Sequence, residues 1–145
     1  MAVKPIPEGR NSVSPYLIVN QAAKVIELLT QAFDATELFR MPKPDGTIGH
    51  AEVKIGDSVV MIADASPPEI PPMPATVHVY VNDVDAVYRR AVRAGAESVR
   101  EPADQFYGDR NAGVKDAGGN QWWISTHKED LSPEEIERRA QAAAK

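Results

Sequence analysis

The hydrophobic positions of this chain alternate, shift to a three-and-four spacing, then alternate again, and this succession of periods occurs twice. Ser14-Pro15-Tyr16-Leu17-Ile18-Val19-Asn20 and Thr76-Val77-His78-Val79-Tyr80-Val81-Asn82 carry the two opening stretches, 62 positions apart. Side chains point to opposite faces of a strand in turn. Leu17, Val19, Val77, Val79 and Val81 are therefore expected to pack against helices. Ser14, Tyr16, Ile18, Thr76, His78 and Tyr80 are expected to look the other way. Behind the first stretch, Ala22, Val25, Ile26, Leu29 and Phe33 recur at helical spacing over about 21–33. Behind the second, Val84, Val87, Ala91 and Ala94 do the same, and Gly95 suits the left-handed end of that helix.

The remaining elements follow from period two and turn chemistry. Strands are expected at Ser12–Val19, Thr36–Met41, Ile48–Ile55 and Val59–Ala63, with a loop at Pro42–Gly46 and a tight hairpin at Gly56-Asp57. In the second half they are expected at Thr76–Asn82, Glu97–Arg100, Asn111–Lys115 and Gln121–Thr126. Both halves read β-α-β-β-β: module one at about 12–64 and module two at about 76–127. The prolines of 65–75 cannot donate to a ladder or continue a helix, so that stretch reads as an extended linker. Asn20 and Asn82, like Gly56 and Gly118, are 62 apart, so the halves are a duplication. Ser132-Pro133-Glu134-Glu135 caps a last helix over 132–144, expected on the surface or against a partner subunit.

Composition narrows the class. A chain of 145 residues with 43% hydrophobic and 26% charged residues reads as one α+β domain. The net charge of −5, with no basic cluster, argues against a nucleic-acid partner. No signal-peptide pattern and no apolar run of membrane-spanning length is visible. With no cysteine, disulfides and thiolate ligands are excluded, which fits a cytoplasmic location.

Tandem β-α-β-β-β modules resemble the vicinal oxygen chelate superfamily of glyoxalases, bleomycin-resistance proteins and extradiol dioxygenases. The PhnB-like branch is the nearer likeness. The residues that carry it are Pro15 to Val19, Ala32 to Leu38, Gly49-His50-Ala51-Glu52, Gly56-Asp57-Ser58, Asp104 to Arg110 and Trp122 to His127. The resemblance implies curled mixed sheets enclosing a cavity, a homodimer and a small-molecule ligand. It also implies a divalent metal held at the positions of Ser14, Met61, Thr76 and Trp123. None of those four is a usual ligand for such a cation. The resemblance therefore implies the fold without its standard metal, and no cofactor is expected.

Two kinds of residue remain as candidates. His50 and Glu52 share a strand face, so an acid-base pair there, joined by His78, is one reading. If the three converge, a divalent metal at a non-standard place stays open. A pair that merely settles the hairpin is the alternative. Parity turns Tyr16, Tyr80 and Trp123 inward, and with Phe106, Tyr107, Ser14, Met61 and Thr76 they are the candidate ligand contacts, because aromatic rings lining a concave surface favour flat or apolar ligands. The same rings could instead fill the barrel. Asp64 is expected to start the Pro-rich loop, and Asp109 or Arg110 to join a structural salt bridge. Together these features point to a small-molecule binder of the bleomycin-resistance type that sequesters a drug or metabolite. A lyase, isomerase or dioxygenase-like enzyme using His50, Glu52 and His78 is the alternative.

Overall fold

The alternating stretches form strands and the three-and-four stretches form helices in the computed structural model of the chain, which describes residues 2–144. Two units divide the chain: residues up to Ala75 with Ala117–Gly119, and Thr76–Asp116 with Asn120 onward. Each contains one four-stranded mixed sheet, which makes the fold α+β.

Module one consists of β1 (Tyr16–Val19), α1 (Ala22–Phe33), β2 (Thr36–Pro42), β3 (Ile48–Ile55) and β4 (Ser58–Asp64). Its sheet runs β1-β4-β3-β2, with β1 parallel to β4 and the other pairs antiparallel. The apolar stripe of α1 is buried through Ala22, Val25, Ile26, Leu28, Leu29, Ala32 and Phe33. Leu17 and Val19 are buried on the same side, as the parity of β1 requires. Asp34 ends α1 at φ 55, the left-handed conformation more often given to glycine.

Module two repeats the plan with β5 (Thr76–Tyr80), α2 (Val84–Arg93), β6 (Glu97–Asp104), β7 (Asp109–Lys115) and β8 (Gln121–His127). The order β5-β8-β7-β6 matches that of module one, with β5 parallel to β8. Trp122 and Ile124 are fully buried, and Val84, Val87 and Ala91 bury the face of α2. The last helix, α3 (Pro133–Ala143), has no buried residue; Ser132 Oγ caps it by accepting from Glu135 N at 3.1 Å. Among the described residues no helix is long and apolar enough to cross a membrane.

Most boundaries shift by one or two residues from the sequence reading, and three features depart further. β1 starts at Tyr16, not Ser12, because Pro15 has no N–H to give the ladder, although its carbonyl still accepts from Met61 N at 2.9 Å. β6 runs on to Asp104, because two register shifts between Ser98 and Ala103 carry Pro102 within a strand expected to stop at Arg100. The Pro-rich stretch is not extended throughout. Its non-proline residues make the hydrogen bonds: Ser66 and Ile70 close a turn, and Met73 N donates to Ile18 O at 2.8 Å.

Candidate functional site

Cross-strand register places the candidate residues in rows. In module one, Tyr16 pairs with Met61, Met61 with Glu52, and Glu52 with Phe39, so one row crosses all four strands on the face away from α1. His50 stands two residues from Glu52 on the same face. Tyr16 OH lies 2.9 Å from His50 Nδ1, and His50 Nε2 lies 3.0 Å from Glu52 Oε2. Arg10, from the irregular lead-in, completes the chain by donating Nε to Glu52 Oε1 at 2.8 Å. The hydrogen bond from His50, joined by the Arg10 guanidinium, outweighs partial burial and holds the Glu52 carboxyl below its usual range. An ionised carboxylate only accepts, so Nε2 carries a proton. In the neutral imidazole Nδ1 is then bare, and Tyr16 OH donates to it. Beside this relay lies a cleft of about 410 Å³ lined by Pro7, Arg10, Asn11, Ser12, Ser14, Glu52 and Met61.

The same face of module two is built differently. His78 pairs with Trp123, Trp123 with Gly113, and Gly113 with Arg100. The Trp123 indole lies across Gly113, where a Cβ would come within 2.6 Å of its ring. Arg100 Cζ sits 5.1 Å from the centroid of that ring. His78 Nε2 is 3.0 Å from Ser125 Oγ, which accepts from the buried Asn111 Nδ2 at 2.8 Å. The His78 and Tyr80 rings meet edge to face at 4.7 Å. One strand-pair further on, the buried Asp109 accepts from Tyr80 OH at 3.0 Å and bonds His127 Nδ1 at 2.7 Å. The carboxylate, with burial, raises the Tyr80 pKa, whereas Asp109 and then Asp130 raise that of His127. Tyr80 and His127 border a second cleft of about 470 Å³.

The sequence candidates are thus distributed between the modules. His50, Glu52, Tyr16 and Met61 share one face of module one, and Ser14, just before β1, lines its cleft. His78, Tyr80 and Trp123 share one face of module two, where His78 takes Ser125 as its partner. Thr76 is exposed at the start of β5. Phe106 and Tyr107 occupy the turn before β7 and pack against each other at 5.2 Å. Asp64 has a structural role: its Oδ1 accepts from Ala22 N at 3.0 Å and its Oδ2 from Ile48 N at 2.8 Å. Arg110 pairs with Asp85 at 2.8 Å, as a salt bridge was expected to do.

Arg10, Arg100, Asn111, Ser125, Asp109 and His127 were not singled out as site residues by sequence reasoning. Parity offered a signal for most of them, since Trp123, Ser125 and His127 share a face, as do Asp109, Asn111 and Gly113. Arg10 offered none. The donors do not suit the metal that the family resemblance implies. Ser14, Met61, Thr76 and Trp123 are poor ligands, and among the described residues no three of His, Cys, Asp and Glu are gathered around a metal-sized site.

Comparison with known proteins places this geometry. Residues 11–124 match the family model described as Glyoxalase/Bleomycin resistance protein/Dioxygenase superfamily. The uncharacterized protein Mb0911c of Mycobacterium bovis is 37% identical over 136 residues, covering 87% of this chain and 90% of that one. Among solved structures, TioX from Micromonospora sp. ML1 is 26% identical with a TM-score of 0.65, covering 84% of this chain and 100% of that one. TnmS3 from Streptomyces sp. CB03234, described as an antibiotic binding protein, is 21% identical with a TM-score of 0.62, covering 88% of this chain and 99% of that one.

Proposed function

This chain belongs to the Glyoxalase/Bleomycin resistance protein/Dioxygenase superfamily, and from that premise we propose that it binds a planar or cationic small molecule without a metal, sequestering a drug or metabolite. The observation that carries the reading is the Trp123 platform. Its indole lies across Gly113 and is half-buried, with the Arg100 guanidinium carbon over the ring, 5.1 Å from its centroid. A flat aromatic or cationic ligand takes the place of that guanidinium and gains stacking and cation–π attraction. His78 and Tyr80 stand beside the platform as further contacts. Phe106, Tyr107 and Thr76 are the outer candidates in the same module, and Tyr16, Ser14 and Met61 those of module one. The description of TnmS3 as an antibiotic binding protein agrees with this class of ligand, at the level of fold alone. In the same reading the protein is a cytoplasmic homodimer of the PhnB-like branch.

Tryptophan fluorescence of protein stripped with EDTA, titrated with a panel of planar aromatic antibiotics, tests the proposal. Saturable binding of at least one compound without added metal is the expected result. A response that requires added zinc, manganese, nickel or iron, or none across the panel, counts against it.

One observation favours a second reading, an acid-base lyase or isomerase. His50 is held between a hydroxyl and a carboxylate at 2.9 and 3.0 Å, the arrangement of a base with its orienting group.

A further inference from the structure

Among the described residues three hydrogen-bonded clusters contain a tyrosine hydroxyl, and their partners differ in what they can do with a proton. Tyr88 OH shares a 2.6 Å bond with Ser98 Oγ, and a hydroxyl is not a base near neutral pH. Tyr80 OH donates to Asp109, whose charge raises the phenol pKa and keeps the proton in place. Tyr16 OH alone of the three meets an imidazole nitrogen, at 2.9 Å. The far side of that imidazole is fixed by Glu52 at 3.0 Å, and Glu52 is fixed by Arg10, whose Nη2 lies 2.7 Å from Oε1. His50 and Glu52 are partly shielded from solvent, while Tyr16 is 47% exposed at the outer end of the relay.

We propose that Tyr16 is a reactive hydroxyl, the outward end of a Tyr16–His50–Glu52–Arg10 proton relay that acts on a small molecule bearing an acidic O–H or C–H beside a polarised oxygen. The Tyr16 oxygen takes the ligand proton as its own proton passes to His50 Nδ1. The products are a ligand anion and an imidazolium whose charge faces the Glu52 carboxylate. Two protons each move one step, a net transfer of one proton from ligand to His50, and the reverse relay to a different ligand atom would complete an isomerisation. Glu52 and Arg10 are positioning residues: Glu52 sets the tautomer of His50, and Arg10 keeps Glu52 ionised and in place. The cleft shares Glu52 and Met61 with the row of Tyr16 and presents Arg10, Asn11, Ser12 and Ser14 as partners for the polarised oxygen. This chemistry belongs to module one and is independent of stacking on Trp123.

The relay can be read without knowing the ligand, using benzenesulfonyl fluoride at pH 8 as the probe. The Tyr16 oxygen attacks sulfur, fluoride leaves, and the phenol proton goes to His50, which gives a stable sulfonate ester that peptide mass spectrometry locates. A base within hydrogen-bond reach is worth about 10²–10⁴-fold, so Tyr16 should be labelled at least about tenfold faster than Tyr80, Tyr88 or Tyr107. His50→Gln should remove that advantage, and Glu52→Gln should reduce it. Circular dichroism of both variants confirms that they fold; Tyr16→Phe identifies the labelled site. An advantage below tenfold, or one that survives in folded His50→Gln, overturns the proposal. Absence of antibiotic binding leaves it standing, since that result concerns the Trp123 platform.

Discussion

The two modules share a backbone plan and diverge on the face turned away from their helices. Asp64 in module one and Thr126 in module two occupy matching places, 62 apart, and both accept from the first N–H of their helix: Ala22 N at 3.0 Å and Val84 N at 2.9 Å. That is the shared plan of the two halves: a strand-end oxygen takes the first helical N–H, while α2 alone adds a side-chain cap, Asp83 Oδ1 accepting from Ala86 N at 3.1 Å. Glu52 pairs with Met61 in one module, and Gly113 pairs with Trp123 in the other. A carboxylate beside a slim thioether leaves a cleft and allows a charged relay. A glycine beside an indole leaves no room for a carboxylate and yields an aromatic surface. One pair of substitutions therefore separates the charged relay from the aromatic surface on a common frame.

The comparison can be broken at several points. Asp64→Ala should have the largest effect, about 2–3 kcal/mol of unfolding free energy, because it strands the N–H groups of both Ala22 and Ile48. Urea unfolding would measure this, and a loss below that of Thr126→Val would refute the shared role. Gly113→Ala should cost about 1–2 kcal/mol by forcing the indole off the sheet, with a matching change in near-ultraviolet circular dichroism from Trp123. Thr126→Val should cost about 1 kcal/mol, since one helix donor loses its acceptor.

The smallest effect is a pH dependence. The folded state raises the His127 pKa above its ordinary 6.5, chiefly through Asp109 and then Asp130. Its stabilisation is therefore complete below 6.5 and fades as pH rises through the raised value. Thermal unfolding followed from pH 6 upward should show that decline, and His127→Gln should flatten it. A variant that keeps the full decline would assign it elsewhere.

Much of the fold was legible because period and turn chemistry are local. The parity of β1 and β5, the stripes of α1 and α2, and the Gly56-Asp57 hairpin need no long-range information. The length of β6 was not legible, because Pro102 is a breaker by composition and is accommodated only through register shifts with β7. The Pro-rich stretch hid its structure in the residues between the prolines. At the site, His50 and Glu52 were visible as strand neighbours of like parity. Arg10 was not, since it reaches Glu52 from an irregular segment 42 residues away. The Asp109–His127 contact depends on how the Asp116–Asn120 turn sets the register of β7 and β8, which composition alone does not specify.

Trp123 is the residue on which the proposed ligand binding turns. Trp122, fully buried on the opposite face, supplies an internal reference for the most direct measurement. Emission of EDTA-treated protein titrated with a planar aromatic antibiotic should change saturably in the wild type. In folded Trp123→Phe the change should vanish, with Trp122 emission unaltered. A response that persists undiminished in Trp123→Phe would contradict the account.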